Sequence, residues 1–121
     1  MTAAEFERDI AAMLAALPEP FRTRAAGVVV QVQDRPTRDE LKAARVRTGS
    51  LFGLFQGTPL TEESMQDLPR LPARILLFQR ELEDAFPDPN ILKAELRKTL
   101  LHELGHYFRL SERDLGRLGY R

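Results

Sequence analysis

The chain of 121 residues has no cysteine and only two histidines. Without cysteine there can be no disulfide bond, no thiolate nucleophile and no zinc site with cysteine ligands. Histidine and carboxylate side chains are therefore the metal ligands that the sequence offers. Such ligands suit a catalytic zinc site better than a structural one.

The sequence also lacks a net charge and a long hydrophobic run. Lysine and arginine together number 18, as do aspartate and glutamate, so no overall electric field would attract a nucleic acid or an anionic membrane. The N-terminus reads MTAAEFERD and is acidic from the outset, which is typical of neither a signal peptide nor a membrane span. We therefore expect a cytoplasmic protein with no nucleic-acid or membrane partner.

The length and the patterning predict one domain over residues 1–121, because no internal repeat or linker interrupts the chain. Apolar residues at helical spacing predict an amphipathic helix over 3–17, which two prolines end. The β-branched run 27–33 is the clearest predicted strand. The polar segment 34–48 is expected at the surface, with one helical turn around 38–44.

Two further strands are predicted on either side of a polar connector at 59–72. The first, 50–57, contains glycines, which weaken a strand but let another backbone approach closely, and an edge position in a sheet fits it. The second covers 73–79. A long helix then follows from Asn90 to about Phe108.

Both histidines lie near the end of this long helix, in the pentapeptide HELGH at 102–106. This is the HExxH pattern of zinc hydrolases. Positions i and i+4 of a helix project from the same face, so the imidazoles of His102 and His106 can reach one metal ion. Glu103 is rotated off that pair, where it can deprotonate a metal-bound water without being a ligand. A chance HExxH with solvated histidines is the alternative, but the chain has no histidine outside the motif.

Two histidines leave a catalytic zinc one ligand short of the usual three. Only 15 residues follow His106, and their oxygen donors include Glu112, Asp114 and Tyr120. Asp114 stands three residues after Ser111, which is the spacing of a helix N-cap and its third residue. Glu112 is therefore the better ligand candidate, and it occupies the third-ligand position of the pattern HExxHxxGxxH. The alternative for Glu112 is a solvated acid in the first turn of a short last helix.

Arg109 stands where that extended pattern has a glycine. The glycine turns the chain so that the third ligand folds back to the metal. Arginine can make the same turn at a cost of roughly 1 kcal/mol. Its positive charge would oppose cation binding unless Glu112 or Glu103 paired with it.

Several segments besides the motif follow the pattern of a known family. With HELGHYF at 102–108 they resemble small bacterial zincin-like metallopeptidases, often described as a minimal matrix-metalloprotease-like domain. The resemblance spans nearly the whole chain. It is made specific by the segment Leu51 to Leu60, which precedes the motif and contains two glycines. The segments are Ala15 to Pro18, Val28 to Val32, Leu51 to Leu60, Leu71-Pro72 with Ile75 to Phe78, and Leu115 with Leu118 to Tyr120.

The resemblance implies an α+β fold, in which an N-terminal helix and a long helix carrying HExxH pack on a small mixed sheet, with a short C-terminal helix. It implies Zn²⁺ bound by His102 and His106, with Glu103 as the general base. The family's usual third ligand is an aspartate. Glu112 is one methylene longer, so it can ligate only if the turn relaxes outward.

Two functions follow from these observations. The first is a zinc-dependent peptidase that holds an extended peptide or protein substrate along an edge strand, with Leu51 to Gln56 as the candidate strand. The second is a metal-binding interaction module of the same fold with little or no hydrolytic activity. The small size and the residues at 109 and 112 motivate this second hypothesis.

Overall fold

A computed structural model of the chain describes residues 1–45, 51–57 and 73–110, together with 113 and 116. Helices and strands alternate irregularly along these residues around one small sheet, so the predicted α+β class is confirmed. The elements are α1 (Ala3–Ala15), α2 (Phe21–Arg24), a 3₁₀ turn (Ala25–Gly27), β1 (Val28–Gln33), α3 (Arg38–Ala43), β2 (Gly53–Gln56), β3 (Ala73–Phe78), α4 (Gln79–Ala85) and α5 (Pro89–Phe108).

The sheet has the strand order β1-β3-β2, so β3 is central. β1 pairs with β3 in parallel, with Val28 opposite Ala73, whereas β2 pairs with β3 antiparallel, with Gly53 opposite Leu77. The predicted mixed sheet and the predicted edge position of the second strand are both confirmed within the described part of the chain. The central strand is also the most buried, which explains its continuous apolar run.

Side-chain caps set the starts of α1 and α3. Thr2 accepts a hydrogen bond from the backbone N–H of Glu5 at 3.1 Å and so begins α1. Thr37 and Glu40 form a reciprocal capping box at the start of α3, and this confirms the helical turn predicted around 38–44. α1 ends at Ala15, two residues before the predicted end.

Two short helices were not predicted from the sequence. α2 has four residues and no side-chain cap hydrogen bond. α4 has seven residues and also lacks such a cap, and it begins at Gln79, which the sequence assigned to the third strand. Each is too short for an apolar stripe to repeat, so periodicity gives no signal. In α4 the fully buried Leu82 anchors the helix to the core.

α5 is the central helix of the molecule and packs on both β2 and β3. Asp88 caps it by accepting the backbone N–H of Asn90 at 2.8 Å, and Pro89 occupies its first position. The helix therefore starts one residue before the predicted start, because the fixed φ of proline suits the first turn. Its buried face supplies much of the core, through Leu92, Leu96, Leu100, Leu101, Leu104 and Tyr107.

No helix among the described residues is both long enough and apolar enough to cross a membrane. The apolar residues of α5 instead meet one cluster that also contains Phe6, Ile10, Ile75 and Leu77. Burial in this cluster fixes the rotation of α5, and that rotation decides where the HELGH residues point.

Candidate metal centre

The three motif side chains that carry chemistry lie together in the last two turns of α5. His102 is half-buried, Glu103 is 8% exposed, and the His106 side chain is 53% exposed. The two imidazole rings meet edge to face with their centroids 4.8 Å apart. One ligand atom from each of the three residues can be chosen so that all three atoms lie within 4.8 Å of one another.

This donor set fits a metal ion. Zinc binds imidazole nitrogen at about 2.0–2.1 Å, so two nitrogens on one ion lie within about 4 Å of each other. The observed donor atoms lie within 4.8 Å of one another, close to that spacing. His102, Glu103 and His106 could hold a metal ion, because they offer imidazole and carboxylate donors at a place that is partly exposed to solvent.

The carboxylate of Glu103 is fixed by a strand as well as by its own helix. Its Oε1 accepts the backbone N–H of Phe55, in β2, at 2.9 Å. The same oxygen lies 3.4 Å from Nδ1 of His106. Glu103 therefore joins the edge of the sheet to the candidate metal centre.

Gly53 explains how β2 comes so close to α5. A Cβ atom on Gly53 would lie 2.7 Å from Cγ2 of Thr99 and 3.3 Å from Cγ of Glu103. Any side chain at this position would push the strand away from the helix. The expectation that a glycine of this strand permits close approach is confirmed.

The chain reverses directly after the motif, and Arg109 makes the turn. Arg109 has φ 58° and ψ 40°, in the left-handed region. The N–H of Leu110 bonds to the carbonyl of Gly105 at 2.9 Å and that of Arg109 to the carbonyl of His106 at 3.2 Å, which is the Schellman pattern of a helix end. The turn that glycine makes in the extended motif is thus made here by arginine.

The three predicted oxygen donors beyond the turn, Glu112, Asp114 and Tyr120, lie outside the described residues. The assignment of Glu112 as third ligand therefore stays a prediction. The two aromatic residues that follow His106 are core residues, as expected. Tyr107 is 1% exposed, and Phe108 packs against Phe21 with ring centroids 5.3 Å apart.

A concavity of about 310 Å³ adjoins the motif on the side of the helix N-terminus. Leu51, Phe52 and Gly53 line it from the strand side, and Thr99 and His102 line it from the helix. Glu95 and Lys98 also line it, and Nζ of Lys98 lies 3.3 Å from Glu95 Oε1. The candidate metal centre therefore lies beside a cleft between β2 and α5.

Sequence reasoning missed the backbone amide of Phe55 as a member of this site. A main-chain N–H has no side-chain signature, and its partner lies 48 residues away along the chain. Gly53, two residues earlier, was the one available signal, since a glycine inside a strand often marks a close approach.

Comparison with known proteins identifies the family of the chain. A search of curated proteins gives no match to the chain. A family model described as a zincin-like metallopeptidase matches residues 25–120, which include all three strands and the whole HELGH motif. The chain therefore belongs to the zincin-like metallopeptidase family.

Proposed function

We propose that the protein is a zinc-dependent peptidase in which His102 and His106 bind Zn²⁺ and Glu103 is the general base. One observation supports this above all others. The donor atoms of these three residues converge within 4.8 Å at the end of one helix, while Glu103 is also anchored to the sheet edge. A bound zinc ion would lower the pKa of its water toward about 7 and polarise the scissile carbonyl.

Glu103 suits the task of moving a proton. Its side chain is 10% exposed, so bulk water does not compete strongly for it. It would take the proton of the attacking water and pass it to the leaving amine. His102 and His106 would hold the metal through neutral imidazole nitrogen.

Glu112 would be the third protein ligand of the zinc ion, beside His102 and His106. The left-handed turn at Arg109 supports this assignment, because it reverses the chain at the position where the extended motif needs a reversal. The substrate would be an extended peptide segment of a polypeptide in the cleft between β2 and α5. The apolar Leu51 and Phe52 on one wall of that cleft favour contact with a peptide side chain.

The first test combines a metal assay with a peptide-hydrolysis assay. Protein purified without added metal should contain about one zinc per chain and cleave members of an unlabelled peptide library. Glu103→Gln should retain the zinc but lose about 10²- to 10⁴-fold in kcat, the usual contribution of a general base. Glu7→Gln, an exposed substitution on α1, is the matched control and should leave kcat unchanged.

Two outcomes would contradict the proposal, the first its general base and the second the peptidase activity itself. Equal turnover in wild type and Glu103→Gln would exclude Glu103 as the base. Stoichiometric zinc with near-zero turnover in both proteins would favour the metal-binding interaction module instead.

A further inference from the structure

The direction of the backbone amides in β2 follows from its pairing with β3. Opposite residues in an antiparallel pair alternate between hydrogen-bonded and non-hydrogen-bonded positions. Phe78 donates its N–H to the carbonyl of Phe52 at 3.0 Å, so these two residues form a hydrogen-bonded pair. Counting along the strand in the observed register, the amides of Gly53 and Phe55 point away from β3.

An outward amide at a sheet edge normally bonds to water or pairs with another chain. The Phe55 amide does neither, because it donates to Oε1 of Glu103 at 2.9 Å. The acceptor is a carboxylate that is largely shielded from water, and such charge-assisted bonds are stronger than those between neutral groups. This outward edge donor is therefore already used within the protein.

Both contacts of the Glu103 carboxylate within the described part of the chain involve the same oxygen. Oε1 accepts the Phe55 N–H and lies 3.4 Å from Nδ1 of His106. The side chain of Glu103 also lies close to Gly53, where an added Cβ atom would come within 3.3 Å of its Cγ. One carboxylate oxygen is thus held by β2, and Oε2 is the oxygen left to act.

We infer that the Phe55 backbone amide is the positioning group of the general base. It anchors Oε1 of Glu103, so that Oε2 is the oxygen that accepts the proton. This inference rests on the proposed function for its catalytic meaning. It also restricts the substrate, because the main chain of a peptide in the cleft cannot pair with the Phe55 amide while Glu103 holds it.

Hydrogen exchange measured by NMR on the metal-free protein tests the anchor without any activity. The Phe55 amide should exchange about 100-fold more slowly than an unprotected amide in wild type. Glu103→Gln keeps an acceptor oxygen but loses the charge, so it should speed the exchange less than Glu103→Ala, which should speed it by about 10-fold or more. The Phe78 amide, which bonds within the same strand pair, is the internal control and should be unaffected.

An unprotected Phe55 amide in wild type would overturn the inference. So would equal Phe55 protection in wild type and Glu103→Ala with the Phe78 amide still protected. Faster exchange of the Phe78 amide in Glu103→Ala would mean that this variant disturbs the strand pair as a whole. The wild-type exchange rate of the Phe55 amide and its rate in Glu103→Gln then test the inference. Exchange of the Phe55 amide that is as fast in Glu103→Gln as in Glu103→Ala would contradict a hydrogen bond to the side-chain oxygen.

An amide-to-ester replacement at Phe55 separates positioning from structure, because it removes one N–H and leaves every side chain in place. The expected result is a fall in kcat of about 10-fold or more with KM changed by less than about 3-fold. The same replacement at Ala16, which removes the hydrogen bond to the carbonyl of Ala12 at the end of α1, is the matched control. Equal effects of the two esters on kcat would overturn the inference.

The exchange experiment tests the hydrogen bond between Phe55 and Glu103, and the kinetic experiment tests the peptidase. Either claim can be refuted without the other. An inactive wild-type protein would refute the peptidase, yet the exchange rates would still establish or refute the anchor. An active enzyme with an unprotected Phe55 amide would refute the anchor and leave the peptidase intact.

Discussion

Two arginines adopt the left-handed conformation that usually belongs to glycine. Arg45 has φ 59° and Arg109 has φ 58°, and each follows the last turn of a helix, α3 and α5 respectively. A residue with a Cβ pays about 1 kcal/mol for this conformation. Arg109 differs from Arg45 because it also places a positive charge three residues after His106.

We therefore predict that Arg109→Gly and Arg45→Gly each raise the free energy of unfolding by about 0.5–1 kcal/mol, measured by urea denaturation. Only Arg109→Gly should also strengthen zinc binding, by roughly two- to five-fold, because it removes a nearby like charge. A competition assay with a chromophoric chelator measures this change. Equal zinc affinities in the two variants would show that the charge of Arg109 does not weaken zinc binding.

At the scale of elements, the site depends on the contact between β2 and α5. The helix brings the two imidazoles to one face, but the strand brings the amide that anchors Glu103. Gly53 sets the separation, since a Cβ there would overlap the Thr99 methyl group at 2.7 Å. The strand and the helix therefore have to fit each other before the base is in place.

Gly53→Ala should lower the free energy of unfolding by about 1–3 kcal/mol, which is the usual cost of overpacking a close contact. Thr99→Ser removes the methyl group in the way and keeps the hydroxyl that donates to the carbonyl of Glu95. The double variant should recover part of the lost free energy of unfolding. Urea denaturation of the wild type, the two single variants and the double variant gives the coupling energy. Strict additivity of the two substitutions would contradict the proposed overlap.

At the scale of the whole molecule, a bound metal should stabilise the fold. A ligand that binds only the native state at 100 times its Kd adds about 2.7 kcal/mol to the free energy of unfolding. Zinc should therefore raise Tm by several degrees, and chelation should reverse the rise. Mg²⁺ should have little effect, since it prefers oxygen ligands.

His106→Ala should abolish the zinc-dependent rise in Tm while leaving the metal-free Tm nearly unchanged, because the His106 side chain is 53% exposed. Differential scanning calorimetry with zinc, with Mg²⁺ and with chelator measures all of these values. A zinc-dependent rise of equal size in His106→Ala would place the metal elsewhere.

Much of the fold was predictable because its signals are local. The helical turn around 38–44, the β-branched strand at Val28–Gln33 and the apolar stripe of α5 each lie within a short segment. The edge position of β2 followed from its glycines. α2 and α4 were not predictable, because a helix of four or seven residues has no repeating stripe.

The sequence by itself determined the chemistry of the candidate site. Two histidines four residues apart must share a helix face, and a glutamate beside the first is rotated off it. Only the tertiary structure decided what holds that glutamate. The Phe55 amide reaches Glu103 because the register of β2 on β3 turns it outward and Gly53 lets the strand meet the helix. These are contacts between residues distant in sequence, and no local pattern encodes them.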